Sequence, residues 1–116
     1  MSNNYTIQIL PEAEEFFEYL ADNLFREGYK NSYAFASKMV DEILDFVYEI
    51  PNVQHHSIPN EFLYHFERYG NNLQYARFRR KSSPKTTWYV FFEQRDNLIL
   101  VKHISNNWIE GHYLRE

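Results

Sequence analysis

The chain predicts an α+β fold with the element order β-α-α-β-β-β. Three observations carry that prediction. The stretch from Gln74 to Ser105 contains three short strand-like runs separated by turn residues. Ahead of it lie two amphipathic helical stripes, ended by Gly28 and Pro51. The chain also opens on a short alternating run, Tyr5 to Leu10, ahead of the first stripe. Two amphipathic helices need an apolar surface to cover, and the meander of strands is the surface available.

The elements follow in order. Tyr5, Ile7 and Ile9 alternate with Thr6, Gln8 and Leu10, which is the period of a strand. Pro11 suits a first helical position, and Glu12, Glu14 and Glu15 complement the positive end of a helix. Ala13, Phe16, Phe17, Leu20 and Leu24 then fall on one face of a helix running from Pro11 to about Arg26. Glu14, Glu15, Glu18 and Asp22 form its solvated face. Asn31 and Ser32 offer a cap for the second helix, whose stripe is Phe35, Met39, Ile43, Phe46, Val47 and Ile50. The short connection Gly28-Tyr29-Lys30 makes the pair an antiparallel helical hairpin. A loop follows from Asn52 to Asn60. Phe62 to Tyr69 is ambiguous: Phe62, Tyr64 and Phe66 alternate like a strand, while Leu63, Phe66 and Tyr69 suit a short helix. Gly70-Asn71-Asn72 is a turn.

The meander comes next. Its first strand is Gln74 to Lys81, its second Thr86 to Glu93, its third Leu98 to Ser105. Aromatic, β-branched and Thr residues fill the second, as a pleated packed surface favours. Ser82-Ser83-Pro84-Lys85 breaks the first pair, and Arg95-Asp96-Asn97 turns the second. The third run is nearly all apolar up to Val101, which predicts an interior strand covered on both faces.

Composition bounds the class. At 116 residues, with 44% hydrophobic and 19% aromatic side chains, the chain predicts one globular domain spanning 1–116. It has no cysteine, which excludes disulfides, a thiolate nucleophile and a Cys-based zinc site. His55 and His56 are adjacent and cannot both face one metal easily, so neither a metal nor another cofactor is expected. No apolar run reaches the roughly 18 residues of a membrane span and no signal-like segment opens the chain, so the expectation is a cytoplasmic protein without membrane contact. The net charge of -4 is unevenly spread. Residues 1–67 hold twelve acidic and three basic side chains, a net -9; residues 68–116 hold four acidic and nine basic, a net +5. A negative helical layer and a positive sheet are expected, the second pointing to nucleic acid or an acidic partner.

Taken together, the opening strand into "LPEAEEFFEYL", a second helix closing on "EIP", then "YARFRRK", "TTWYVFFEQ" and "NLILVKHISNN", resemble the RelE/ParE toxin superfamily of bacterial toxin–antitoxin systems. The resemblance covers Tyr5 to Tyr113 and rests on order, length and spacing. It implies a helical hairpin packed on one face of a small twisted antiparallel sheet. It also implies a toxin of the plasmid-stabilisation type, neutralised by a cognate antitoxin. Such toxins divide by target: some block DNA gyrase, others cut messenger RNA on the ribosome.

The resemblance implies nuclease groups that this chain matches poorly. The family's nucleases place an arginine at the start of the middle meander strand, where Thr86-Thr87-Trp88 stand here. They place a basic residue past the last strand, where Asn106, Asn107 and Trp108 stand. Only a tail tyrosine, Tyr113, is matched. Arg77 and Arg79 are alternative candidates. Strand side chains alternate, so Tyr75, Arg77, Arg79 and Lys81 share a face opposite Ala76 and Phe78. The two arginines stand ~7 Å apart, at about 3.4 Å per residue, a spacing that suits successive phosphates or carboxylates. His103 adds a group that titrates near neutrality. The candidate catalytic set is therefore Arg77, Arg79, His103 and Tyr113. Arg80, Lys81, Lys85, Lys102, Trp88 and Trp108 are candidates for contact with a target or RNA, the tryptophans first for the core or for antitoxin contact and only second for base stacking.

Overall fold

The computed structural model describes residues 5–16, 33–80, 83–107 and 114. It is an α+β fold built on a five-stranded mixed sheet. Strand β1 (Thr6–Ile9) runs straight into a helix, α1, that occupies residues 11–16. The Leu10 amide donates to the Val101 carbonyl, and the Leu10 carbonyl accepts from the Glu14 amide. Leu10 thus closes the strand and starts the helix at once. Pro11 takes the first helical position, where its missing N–H costs nothing.

Helix α2 (Tyr33–Tyr48) presents Met39, Val40, Ile43 and Val47 to the sheet, all buried. It stops at Tyr48, short of the expected end. Pro51 cannot donate the next helical bond and disfavours the α conformation at Ile50. The chain tightens into a 3-10 turn, Ile50–Asn52, and Ile50 remains fully buried. The expected hairpin connection Gly28 to Lys30, and the cap at Asn31 and Ser32, lie outside the described residues.

The loop expected from Asn52 to Asn60 contains a two-residue strand, β2 (His56–Ser57). The ambiguous segment is helical: a 3-10 turn Asn60–Phe62, one turn of α-helix α3 (Leu63–Phe66), and a second 3-10 turn Glu67–Tyr69. Phe66 is 1% exposed and Tyr64 84%, so the helical spacing and not the alternation governs. Gly70 then adopts φ +131°, a value that favours glycine, and Asn72 a left-handed φ of 56°.

Strands β3 (Gln74–Arg80), β4 (Ser83–Arg95) and β5 (Leu98–Asn106) form the expected antiparallel meander. β4 begins earlier than Thr86. Its pairing with β3 is regular only from Thr87, however, because the register jumps from Arg79 opposite Thr87 to Arg80 opposite Ser83. Pro84, which has no amide hydrogen, falls in that interruption. At the other end Asp96 turns the chain with φ 53°.

The sheet order is β1-β5-β4-β3-β2, and β1 pairs with β5 in parallel. The expected all-antiparallel sheet is thereby corrected. β1 leaves for the helices and the chain returns by way of β2 and β3, so the last strand reaches β1 from the same end. β5 is interior, as its apolar run predicts.

Both faces of the sheet are covered. On one, Ala13 of α1 and Met39, Val40, Ile43 and Val47 of α2 join Ala76, Trp88, Val90, Phe92, Ile99, Val101 and Ile104. On the other, Tyr75, Tyr89 and Phe91 pack with Ile58, Phe66, Leu73 and Leu114. The segment 58–73 therefore does for the second face what the helices do for the first, a layer the expectation of helices on one face omitted.

Candidate functional site

Alternation along β3 sends Ala76 and Phe78 to the helical face and Tyr75, Arg77 and Arg79 to the other. The arginines thus lie opposite Ala76 and Phe78 as expected, though their own face carries a second apolar layer around Tyr75, Tyr89 and Phe91. Arg77 is half-buried and Arg79 exposed. Cross-strand register sets their neighbours: Arg77 faces Tyr89, which faces Ser105, and Arg79 faces Thr87. The Arg79 Nε–H donates to Thr87 Oγ1 at 2.9 Å. Thr87 is itself fixed, its amide donating to Asn107 Oδ1 at 2.9 Å. Arg77, Phe78, Arg79 and Thr87 line an open groove. This is a shallow basic surface, with one guanidinium oriented by a hydroxyl on the adjacent strand.

Thr87 was not among the predicted contacts. Its signal was the hairpin register, which the sequence leaves open until the turn length is known. His56 was missed for a different reason: two residues of strand carry no pattern. β2 pairs His56 with Tyr75, and the two rings stack with centroids 5.2 Å apart. Burial lowers the His56 pKa, and the nearby charges of Arg77 and His55 lower it further. Burial and the Arg77 guanidinium thus favour the neutral imidazole of His56. His55 serves the opposite side of the sheet. Its Nε2 lies 2.7 Å from the Ile50 carbonyl and must donate to it, and its ring meets Phe92 edge-on at 4.8 Å. The adjacent histidines straddle the sheet edge and do not converge. Among the described residues no three His, Asp or Glu side chains are grouped to hold a metal ion.

His103 reaches the same face as the arginines but not their groove. Its ring stacks on Tyr69 at 4.0 Å and packs on Phe91 at 5.4 Å. Register puts His103 in the row of Tyr75 and Phe91, two strands across and one pair along from Arg77. That is ~12 Å between Cα atoms, from about 4.8 Å per strand and 3.4 Å per residue. A bulge explains how Lys102 joins this face. Phe91 faces His103 while Phe92 faces Val101, so Lys102 is the extra residue. Lys102 Nζ lies 3.3 Å from Glu93 Oε2, and Arg95 holds the other oxygen at 3.0 Å. Burial works to raise the Glu93 pKa, but hydrogen bonds and charge from Arg95 and Lys102 outweigh it and leave the carboxyl below its ordinary value. Lys102 is thus occupied by an intramolecular pair.

Trp88 is 1% exposed in the helical-side core, so the core role is the one it fills and base stacking is not open to it. Arg80 ends β3 and Lys85 lies near the start of β4. Lys81, Trp108 and Tyr113 lie outside the described residues. Of the acidic helix face, Glu14 and Glu15 are exposed, while Glu18 and Asp22 lie outside the described residues. No helix among the described residues is long and apolar enough to cross a membrane.

Family models, curated proteins and solved structures offer no match to this chain.

Proposed function

We propose that this chain is a RelE/ParE-like toxin of a bacterial toxin–antitoxin system. In this reading it binds an essential target such as DNA gyrase, and a cognate antitoxin neutralises it. One observation carries the reading: Arg77 and Arg79 stand two residues apart on one side of β3, at an open groove that Phe78 of the other side also lines, with Arg79 braced by Thr87. Such a pair of guanidinium forks recognises carboxylates or phosphates bidentately. The resemblance of the five quoted stretches, and the β-α-α-β-β-β order expected from the sequence, support that family; the structure adds β2 and α3 between α2 and the meander.

A messenger-RNA endoribonuclease is the second reading, favoured because Arg77, Arg79 and His103 share one face. It is the weaker one. Attack by a 2′-hydroxyl needs a base, a cation and an acid within hydrogen-bond reach of one phosphate. His103 is held between Tyr69 and Phe91, across the sheet from the arginines. A binding surface asks only for the basic groove.

The test is bacterial growth after tightly controlled induction, comparing wild type with Arg77→Ala/Arg79→Ala. Arrest by wild type and recovery in the double variant support a toxin acting through this face. A supercoiling assay with purified gyrase and mapping of RNA ends then separate the targets. Arrest by both proteins keeps the toxin and discards the groove. Normal growth with either protein removes the toxin reading and leaves an antitoxin-binding module without toxicity.

A further inference from the structure

A second groove lies at the far end of β3 from the arginine pair, bounded by β2, α3 and the turn at 70–73. Its polar lining is made of amides and a hydroxyl: Ser57, Asn60, Asn71, Asn72 and Gln74. Among the described residues that line it, Glu67 is the one ionised side chain; the Lys102 ammonium reaches the back of Gly70 but is paired with Glu93. That distribution is unusual for this chain, in which 24% of residues are charged. A described lining that is mostly amide, with its nearby lysine already neutralised by a carboxylate, does not favour phosphate or nucleic acid.

The apolar lining separates the remaining classes. Ile58, Phe66 and Leu73 are 5%, 1% and 7% exposed, because they are packed into the second-face core. They offer no socket for a hydrophobic anchor of a peptide, which is what peptide docking requires. What the groove does present is the Tyr64 ring, 84% exposed on α3, with Leu63 half-exposed beside it. An exposed aromatic face next to several side-chain amides suits a ligand with one apolar C–H face and a rim of hydroxyls. Each amide both donates and accepts, as each hydroxyl does. Asn72, at φ 56°, and Gly70, at φ +131°, set the turn that carries the Asn71 and Asn72 amides.

We propose that this groove binds a neutral sugar, with Tyr64 as the stacking platform and the Asn60, Asn71, Asn72 and Gln74 amides as the hydroxyl-binding rim. The site is independent of the basic groove and of any toxin activity.

The experiment is a titration of nitrogen-15-labelled full chain, followed by NMR, with three neutral probes: maltotriose, cellotriose and triacetylchitotriose. At least one is expected to move the side-chain amide signals of Asn60, Asn71, Asn72 and Gln74, leaving the groove of Arg77 and Arg79 unchanged. Tyr64→Ala is expected to weaken that binding about tenfold, the loss of one stacking contact. Tyr64→Phe should keep it. Because the ring is exposed, both variants should melt with wild type, which separates lost binding from lost fold. The proposal is overturned if none of the three sugars moves these amides up to its solubility limit. It is equally overturned if Tyr64→Ala binds as well as wild type, or if a neutral peptide rich in Leu and Tyr moves the same amides and the sugars do not.

Discussion

At the scale of single residues, two side chains respond to pH in predictable directions. His56 has a folded pKa below its ordinary value, through burial first and then the charges of Arg77 and His55. Below the unfolded pKa of 6.5 the unfolded chain takes up a proton that the folded chain resists, so the native state loses stability as pH falls through that value. Urea midpoints measured from pH 7.5 to 5 should decline for wild type and decline less for His56→Gln; equal slopes would remove His56 from the account. Glu93 is also held below its ordinary value, because burial is outweighed by hydrogen bonds and charge from Arg95 and Lys102; its contribution is present above the ordinary carboxyl value and is lost as pH falls through the lowered folded one. Gly70 offers a sharper test of strain. Among the described residues a Cβ there meets the flexible end of Lys102, at 3.3 Å, so the contact can yield, whereas φ +131° cannot. Gly70→Ala is expected to cost about 1–3 kcal/mol, the price of a residue held in a sparsely populated backbone region. Adding Lys102→Ala should not recover it. Recovery in the double variant would place the cost in the contact instead.

At the scale of elements, the second-face layer rests on few side chains. Phe91 and Phe66 are buried and stacked with centroids 5.1 Å apart, tying the segment 58–73 to the sheet. Phe66→Ala is expected to destabilise by about 3–5 kcal/mol, the usual cost of deleting a buried ring. It should also speed amide exchange at 58–73 before it does so in α2. Uniform exchange across both layers would mean the faces unfold as one. This layer also marks where sequence legibility ended. The meander, α2 and the interior place of β5 could be read because each is long enough to repeat its period. The segment 60–69 could not, since one α-turn between two 3-10 turns satisfies strand and helix patterns equally. β2 has two residues and no period at all. The parallel β1–β5 pair is a long-range choice that no local pattern encodes. The groove was half legible: alternation placed Arg77 and Arg79 together, but Thr87 required the register and His56 required β2. The bulge at Lys102, which places it on the face of His103, adds one residue without a sequence signature.

At the scale of the whole molecule, the charge is polar along the chain, -9 over residues 1–67 and +5 over residues 68–116. This polarity separates the two targets in one measurement. If the face of Arg77 and Arg79 engages single-stranded RNA, each phosphate neutralised lowers the slope of log affinity against log salt by about 0.7. Removing both arginines should then flatten the slope by about 1.4, while sequence preference is unchanged. If the face engages acidic side chains of a folded protein, binding to RNA should be weak from the start, because the acidic helical layer repels a polyanion. Salt should then act mainly on the association rate with that protein, as rim charges do. Affinity for a short unstructured RNA is therefore to be measured over a range of salt for wild type and Arg77→Ala/Arg79→Ala. A steep wild-type slope that the double variant reduces argues for RNA on the basic groove. A steep slope that the variant leaves intact moves the RNA contact to other basic residues of the second half. Absence of measurable binding at low salt favours the protein target, since low salt is where a phosphate-binding face would be strongest.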